Sequence, residues 1–274
     1  MKKSAIVCTL TLLALPVFAA CSNDEKAEAK TALPSEEITS PLPPEEQSPS
    51  TEPEEVTTTA PESKPAVAEY IKITTDNLNV RKGAGTNYSS LGRVEKNILM
   101  KCAGKSGEWY ETQYMGGAAF VHSSYVQIVT LEKGSDQIEK VIEEGLRVLG
   151  TPYVYGATRF HDGKGNLLKG FSEKKFDCSS LMQYIFYRGA GVLLNMNTRT
   201  QISQGQEVKG ELKRGDLLFF TNASRKNNTG LERVGHVALY LGNNYILHTA
   251  SDYAKIEQIS ATRWSYYLGA RRML

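Results

Sequence analysis

Hydrophobic and polar positions change their period twice along this chain. Between residues 70 and 130 the apolar residues come in short alternating runs: Ile71 and Ile73, Leu78 and Val80, Ile98 to Met100, Trp109-Tyr110, Phe120-Val121 and Tyr125-Val126. Turn clusters such as Gly83-Ala84-Gly85-Thr86-Asn87 and Met115-Gly116-Gly117 separate them, which predicts five or six short strands in a small all-β barrel. From Ile138 the spacing becomes helical (Ile138, Val141, Ile142, Leu146, Leu149), capped near Ser135-Asp136 and ended by Gly150-Thr151-Pro152. A second amphipathic run, Leu181 to Tyr187, starts behind Asp177 and stops at Gly189-Ala190-Gly191. Period two then returns in Asp216 to Phe220, Val237 to Leu241, Tyr245 to Thr249 and Tyr266 to Arg272. Helices first and an antiparallel sheet afterwards is an α+β plan.

Upstream of the barrel the texture is different. Lys2-Lys3, an apolar run from Ala5 to Phe18 and Ala19-Ala20-Cys21 predict a secretory signal over residues 1–21, the run being too short for an ordinary transmembrane helix. Small residues directly before a cysteine resemble a lipobox, which makes Cys21 a lipidation site and the membrane a partner through it. Phe18 stands where Leu is usual, so cleavage after an alanine without acylation is the alternative.

Residues 22–68 hold eight of the ten prolines, eleven acidic and three basic side chains, and no aromatic residue. They cannot bury enough apolar surface to offset ordering entropy, so they are expected to form a disordered acidic tether. The chain's net charge of +2 therefore hides a tether at −8 and a part from residue 69 onward at +8. That asymmetry suits work near an anionic polymer; a solvated basic surface is the plainer reading, and no nucleic-acid partner is expected.

Candidate chemistry centres on Phe176-Asp177-Cys178-Ser179-Ser180. Asp177 is a good N-cap, placing Cys178 in the first helical turn, where free N–H groups and the macrodipole lower a thiol pKa and favour thiolate near neutral pH. Of four histidines, His122 ends a short strand and His161 lies in a Gly- and Lys-rich loop. His236 and His248 lie on two runs joined by Gly242-Asn243-Asn244, turn chemistry that predicts a hairpin. His236 then falls opposite or diagonal to positions 248–250, so Cys178, His236 and His248 form a plausible triad. A zinc site on the same three residues is a weaker alternative, because no Cys-x-x-Cys or His-x-x-x-His pairing supports it. Among the other cysteines, Cys8 leaves with the signal and Cys102 reads as a buried strand thiol, so no disulfide framework remains.

Two resemblances attach to these residues. Leu78-Asn79-Val80-Arg81-Lys82-Gly83-Ala84-Gly85-Thr86-Asn87-Tyr88, Trp109-Tyr110 and Val121 to Val126 look like a bacterial SH3-like domain over residues 70–130, with Ala119-Phe120 in place of the usual Gly-Trp. Its aromatics serve either a peptide groove or the core of a minimal barrel. Gly150 to Gly156, Asp177-Cys178-Ser179-Ser180-Leu181, Arg214 to Phe220, Gly235 to Tyr240 and Ile246-Leu247-His248 resemble, in that order, the NlpC-type cysteine peptidases over residues 134–274.

That second resemblance implies a papain-like fold and cleavage of peptidoglycan stem peptides, typically beside the D-glutamyl residue, with no cofactor or metal. It implies Cys178 as nucleophile, His236 as base and His248 as the orienting third residue. Tyr153, with Ser179, would shape the oxyanion site and position substrate. The location implied is extracytoplasmic, on a lipid anchor facing the cell wall. A non-catalytic wall-binding protein, or an amidase or acyltransferase on the same Cys-His plan, are the alternatives.

Two departures from compact members stand out. The stretch Arg159 to Lys175 lengthens the connection before Cys178, so an added loop is expected to cover or edge the cleft. After Arg199 stand Thr200-Gln201, where members that read a free N-terminal amine can carry Asp-Ser, which makes an exclusive preference for trimmed peptides less expected.

Overall fold

The computed structural model describes residues 65–274; the signal, Cys8, Cys21 and nearly all of the expected tether lie outside the described residues. No helix among the described residues is long and apolar enough to cross a membrane. The first strand begins at Val67, inside the stretch expected to be tether.

Eight strands, rather than five or six, make up the N-terminal part: β1 (Val67–Ile73), β2 (Leu78–Arg81), β3 (Ser90–Val94), β4 (Leu99–Lys101), β5 (Gly104–Ser106), β6 (Trp109–Tyr114), β7 (Gly117–His122) and β8 (Val126–Glu132). Their order β3-β2-β7-β6-β5 forms one sheet, and β1 pairs with both β4 and β8 beside it. Alternation sends Ile71, Ile73, Val80, Met100, Ala119 and Val121 into one small core, as the period-two pattern predicts. Cys102 is only half-buried, because it follows β4 at the barrel rim instead of lying within the strand.

Helix α1 (Asp136–Arg147) is capped by Ser135, and α2 (Cys178–Ala190) by Asp177, with Gly191 in the left-handed conformation at its end. A short α3 (Thr198–Gln201) and α4 (Ala261–Ser265) are the other α-helices among the described residues. The remaining strands are β9 (Gln206–Glu207), β10 (Leu217–Phe220), β11 (His236–Gly242), β12 (Tyr245–Ala250), β13 (Tyr253–Gln258) and β14 (Tyr267–Arg272). Helices α1 and α2 bury one face of this antiparallel sheet, through Val141, Ile142, Met182, Ile185, Val237, Leu239 and Leu247. They cross so closely that a Cβ on Gly189 would meet the Val141 backbone at 2.5 Å. Leu218, Phe220, Ala238, Ile246 and Trp264 close the opposite face. The architecture is the expected α+β papain-like domain preceded by an SH3-like barrel.

The two parts share hydrogen bonds. The larger sheet runs β8-β1-β4-β13-β12-β11-β10-β14-β9, joined by a bridge between Leu99 of the barrel and Ile256 of β13. Arg214 donates to Tyr70 Oη at 2.7 Å and to Glu139 Oε1 at 2.6 Å, tying β1 to α1. Met115 N donates to Leu149 O at 2.6 Å, so the β6–β7 turn caps the end of α1.

Candidate active site

Cys178 sits at the start of α2 because Asp177 forms a complete capping box. Its carboxylate accepts from Ser180 N at 2.8 Å, and Ser180 Oγ accepts from Asp177 N at 2.9 Å. The second oxygen of Asp177 takes Arg159 Nη1 at 2.7 Å and Gly156 N at 3.2 Å. Arg159 also reaches Ser179 Oγ at 3.1 Å and Met196 O at 2.5 Å. Ser179 in turn donates to Asp177 Oδ1 at 3.1 Å, so its hydroxyl is used in bracing the cap. Gln201, buried beneath, donates to Ser179 O at 3.0 Å and Asn195 O at 2.8 Å. Gln201, which in sequence stands out only for the residue it replaces, thus supports the first turn of α2.

The hairpin brings the two histidines together. Leu239 pairs with Leu247, and a bulge before the left-handed Gly242, Asn243 and Asn244 closes the turn. His236 is therefore diagonal to His248 on one sheet face, and its Nε2 lies 3.0 Å from His248 Nδ1. His248 is fully buried and His236 nearly so. On the next strand Glu257 is diagonal to His248 in the same sense, and its Oε1 lies 3.0 Å from His248 Nε2. Glu257 carries no local signal in the sequence that marks it as part of the site. Tyr253-Ala254-Lys255-Ile256-Glu257-Gln258 does alternate in period two, but with two apolar positions too small or too few to stand out.

Two clefts meet at the sulfur. One of about 400 Å³ is lined by Cys178, His236, Phe220, Arg263 and Tyr266. The other, about 470 Å³, is lined by Cys178, Tyr155, Arg159, Ser179 and Arg225. Tyr153 borders both, held by a bridge to Phe176 and by its N–H on Asp252 O at 2.8 Å. Beyond Arg159 the long insertion borders neither cleft. Phe160 and Phe171 instead pack on Phe176, Tyr184 and Tyr187 of the α2 segment, and His161 is buried among them. The expectation that this loop covers or edges the cleft holds for its first residue only, because its aromatic side chains find apolar partners on the α2 segment.

The electrostatics correct one expectation. Burial, and then the neighbouring Asp177 carboxylate, push the Cys178 thiol up to about 12, against the opposing pull of the Val237 and Ser179 N–H groups. Desolvation outweighs the helix terminus, so the thiol is raised where the first turn of α2 is expected to lower it. Burial likewise holds His236 well below the ordinary imidazole value, with His248 and Arg263 adding to the effect. His248 is lowered by burial against the hydrogen bond to Glu257. Burial and the nearby Cys178 raise Tyr153 to about 12, which keeps its hydroxyl a donor. Among the described residues no group of three or more His, Cys, Asp or Glu is arranged to hold a metal. The imidazoles of His236 and His248 spend their facing nitrogens on one another.

Comparison with known proteins follows the same division. Residues 150–272 match the NlpC/P60 family and residues 76–127 the bacterial SH3 domain, so the chain carries both domains. A gamma-D-glutamyl-L-lysine dipeptidyl-peptidase of Bacillus subtilis is 27% identical over 198 residues, 70% of this chain and 60% of its own length. The peptidoglycan endopeptidase RipA of Mycolicibacterium smegmatis is 29% identical over 139 residues, 49% of this chain and 26% of that protein. A solved NlpC/P60 family protein from Bacillus cereus aligns with a TM-score of 0.40 at 22% identity, over 75% of this chain and 63% of its own. This chain thus spans less than two thirds of the length of these relatives.

Proposed function

We propose that this protein is a cysteine peptidase that hydrolyses an amide bond in peptidoglycan stem peptides, at the γ-D-glutamyl–diamino acid linkage. The observation that carries the reading is a capped helix-start cysteine sharing one cleft with His236, whose far nitrogen is bonded to His248.

With Nε2 of His236 committed to His248, Nδ1 is the nitrogen left for the thiol. As substrate binds, the S–H proton passes to His236 Nδ1 while the sulfur attacks the carbonyl carbon. The Cys178 N–H at the helix start and the protonated Tyr153 hydroxyl are the donors for the developing oxyanion. His236 then returns the proton to the leaving amine; a water, deprotonated by the same nitrogen, attacks the thioester, and the departing Cys178 sulfur takes that proton back as the acid is released. Ser179 acts at one remove, through Asp177 and Arg159, on the orientation of the turn that carries Cys178.

The leaving group belongs in the 400 Å³ cleft that His236 lines, and the acyl part in the second cleft beside Arg159 and Ser179. The reading places the protein outside the cytoplasm, facing the wall, anchored through acylated Cys21. Lys2-Lys3, the short apolar run and Ala19-Ala20-Cys21 support that address. Digestion of purified peptidoglycan, with new amines located by mass spectrometry, tests the activity. Products should carry a freed diamino-acid amine and vanish in Cys178→Ala; unchanged turnover in that variant would overturn the assignment.

A further inference from the structure

We infer that Glu257 is a fourth member of the relay, a positioning residue that fixes the tautomers of both histidines and balances the charge His236 gains during turnover. The inference rests on the function proposed above, and Glu257 lies outside the triad that the sequence and the family resemblance indicate.

Hydrogen-bonding roles follow in one direction from the carboxylate. An ionised carboxylate only accepts, so the 3.0 Å contact puts the proton of His248 on Nε2. His248 Nδ1 is then bare and must accept, so the proton of His236 is on Nε2 as well, across its own 3.0 Å contact. His236 Nδ1 is left unprotonated, as the base requires. Three residues on three adjacent strands, each diagonal to the next, thus set one nitrogen at the cleft. Take away the carboxylate and nothing among the described contacts of His248 chooses between its two tautomers.

Charge argues for the same role. The groups facing the relay are Lys255 on β13 and Arg263 on α4, both cations, and Cys178 across the cleft. Arg263 Nη2 lies 3.3 Å from Glu257 Oε1 and Lys255 Nζ 3.7 Å from Oε2. Glu257 is the carboxylate within bonding distance of the relay among the described residues. Burial would raise it, but the His248 hydrogen bond and the two cations override that and hold it at about 2, so it stays ionised wherever the enzyme works. When His236 becomes imidazolium, this carboxylate offsets a positive charge otherwise set against Arg263 and Lys255. A purely structural carboxylate needs only the two cations; here Oε1 accepts from the fully buried His248 as well as from Arg263.

The test uses the whole chain with 15N-labelled histidine, as wild type, Glu257→Gln and Glu257→Ala. Wild type should show His236 and His248 both protonated at Nε2 and bare at Nδ1. Glu257→Gln removes the charge and offers His248 an amide that can donate as well as accept, so the tautomer preference should weaken and the acid limb of the kcat/KM profile, which reports protonation of His236, should move about one unit to lower pH. Glu257→Ala should mix the His248 tautomers and lower kcat by about 10- to 100-fold with KM unchanged. If Glu257→Ala does not fold, the wild-type tautomers and the shift in Glu257→Gln decide alone. Unaltered tautomers and an unmoved pH profile in the variants, whether activity persists or falls, would overturn the inference. An inactive wild type would remove the proposed function, while the nitrogen spectra would still judge the relay.

Discussion

Nε2 of His236 and Nδ1 of His248 lie 3.0 Å apart, and this contact divides labour between two residues of the same type. His236 borders the cleft with Cys178, whereas His248 is fully enclosed behind it. Losing His236 removes both proton transfers, so His236→Ala should lower kcat by about 10³-fold or more. His248→Gln keeps an acceptor near His236 and should retain about 1 to 10% of turnover. Steady-state kinetics on a defined stem peptide checks both, and wild-type turnover in His248→Ala with folding intact would leave a Cys178-His236 dyad.

Burial of both imidazoles also predicts how stability depends on acidity. Their folded-state values lie below the unfolded one, so between those values the unfolded chain binds more protons. Stability from keeping them neutral is complete above the unfolded value and is lost as pH falls toward the folded values. Tm should therefore drop as pH is lowered from about 7 to about 5, and drop less steeply in His248→Gln. Glu257, held at about 2, adds its own loss as pH falls from its unfolded value of 4.5 toward the folded one, below the first window, in which the histidines dominate. A Tm independent of pH there would contradict the neutral, buried pair.

A neutral resting thiol makes a kinetic prediction. Alkylation of Cys178 by iodoacetamide should climb with pH throughout the alkaline range instead of reaching a plateau near neutrality, because the thiol is held at about 12. Asp177→Asn keeps a capping oxygen while removing the charge beside the sulfur, and should speed alkylation at fixed pH by about tenfold. It should also lower Tm, since Arg159 is left facing an amide. An alkylation plateau near neutral pH in wild type would show a thiolate already present.

These geometries were only partly legible in the sequence. Cys178, its Asp177 cap and the hairpin histidines could be read because each rests on a local rule: a cap, a turn, a period. Arg159 could not, since its partners Asp177, Ser179 and Met196 are up to 37 residues away and only the fold brings them together. Glu257 escaped for the same reason, its meaning depending on the register of β12 against β13. The thiol's environment was misjudged because a helix terminus is visible in sequence and desolvation is not.

The last prediction concerns the joint between barrel and catalytic part, which sequence reading treats as two modules. Gly150 follows α1 with φ +85°, and a Cβ there would meet Tyr114 ring atoms at 2.3 Å. Tyr114 is buried in the barrel core, so the glycine lets the two parts touch where a side chain would wedge them apart. Gly150 N also donates to Ala254 O at 2.7 Å, on the same strand β13 whose Ile256 bridges to Leu99. Left-handed strain and overpacking each cost about 1–3 kcal/mol, so Gly150→Ala should destabilise by about 2–6 kcal/mol. If the shared sheet couples the parts as these contacts imply, wild type should unfold in one calorimetric transition. The glycine variant should shift that transition down or split off the barrel as a separate, earlier one. Two well-resolved transitions already present in wild type would mean that the parts fold independently and that the Leu99–Ile256 bridge contributes little.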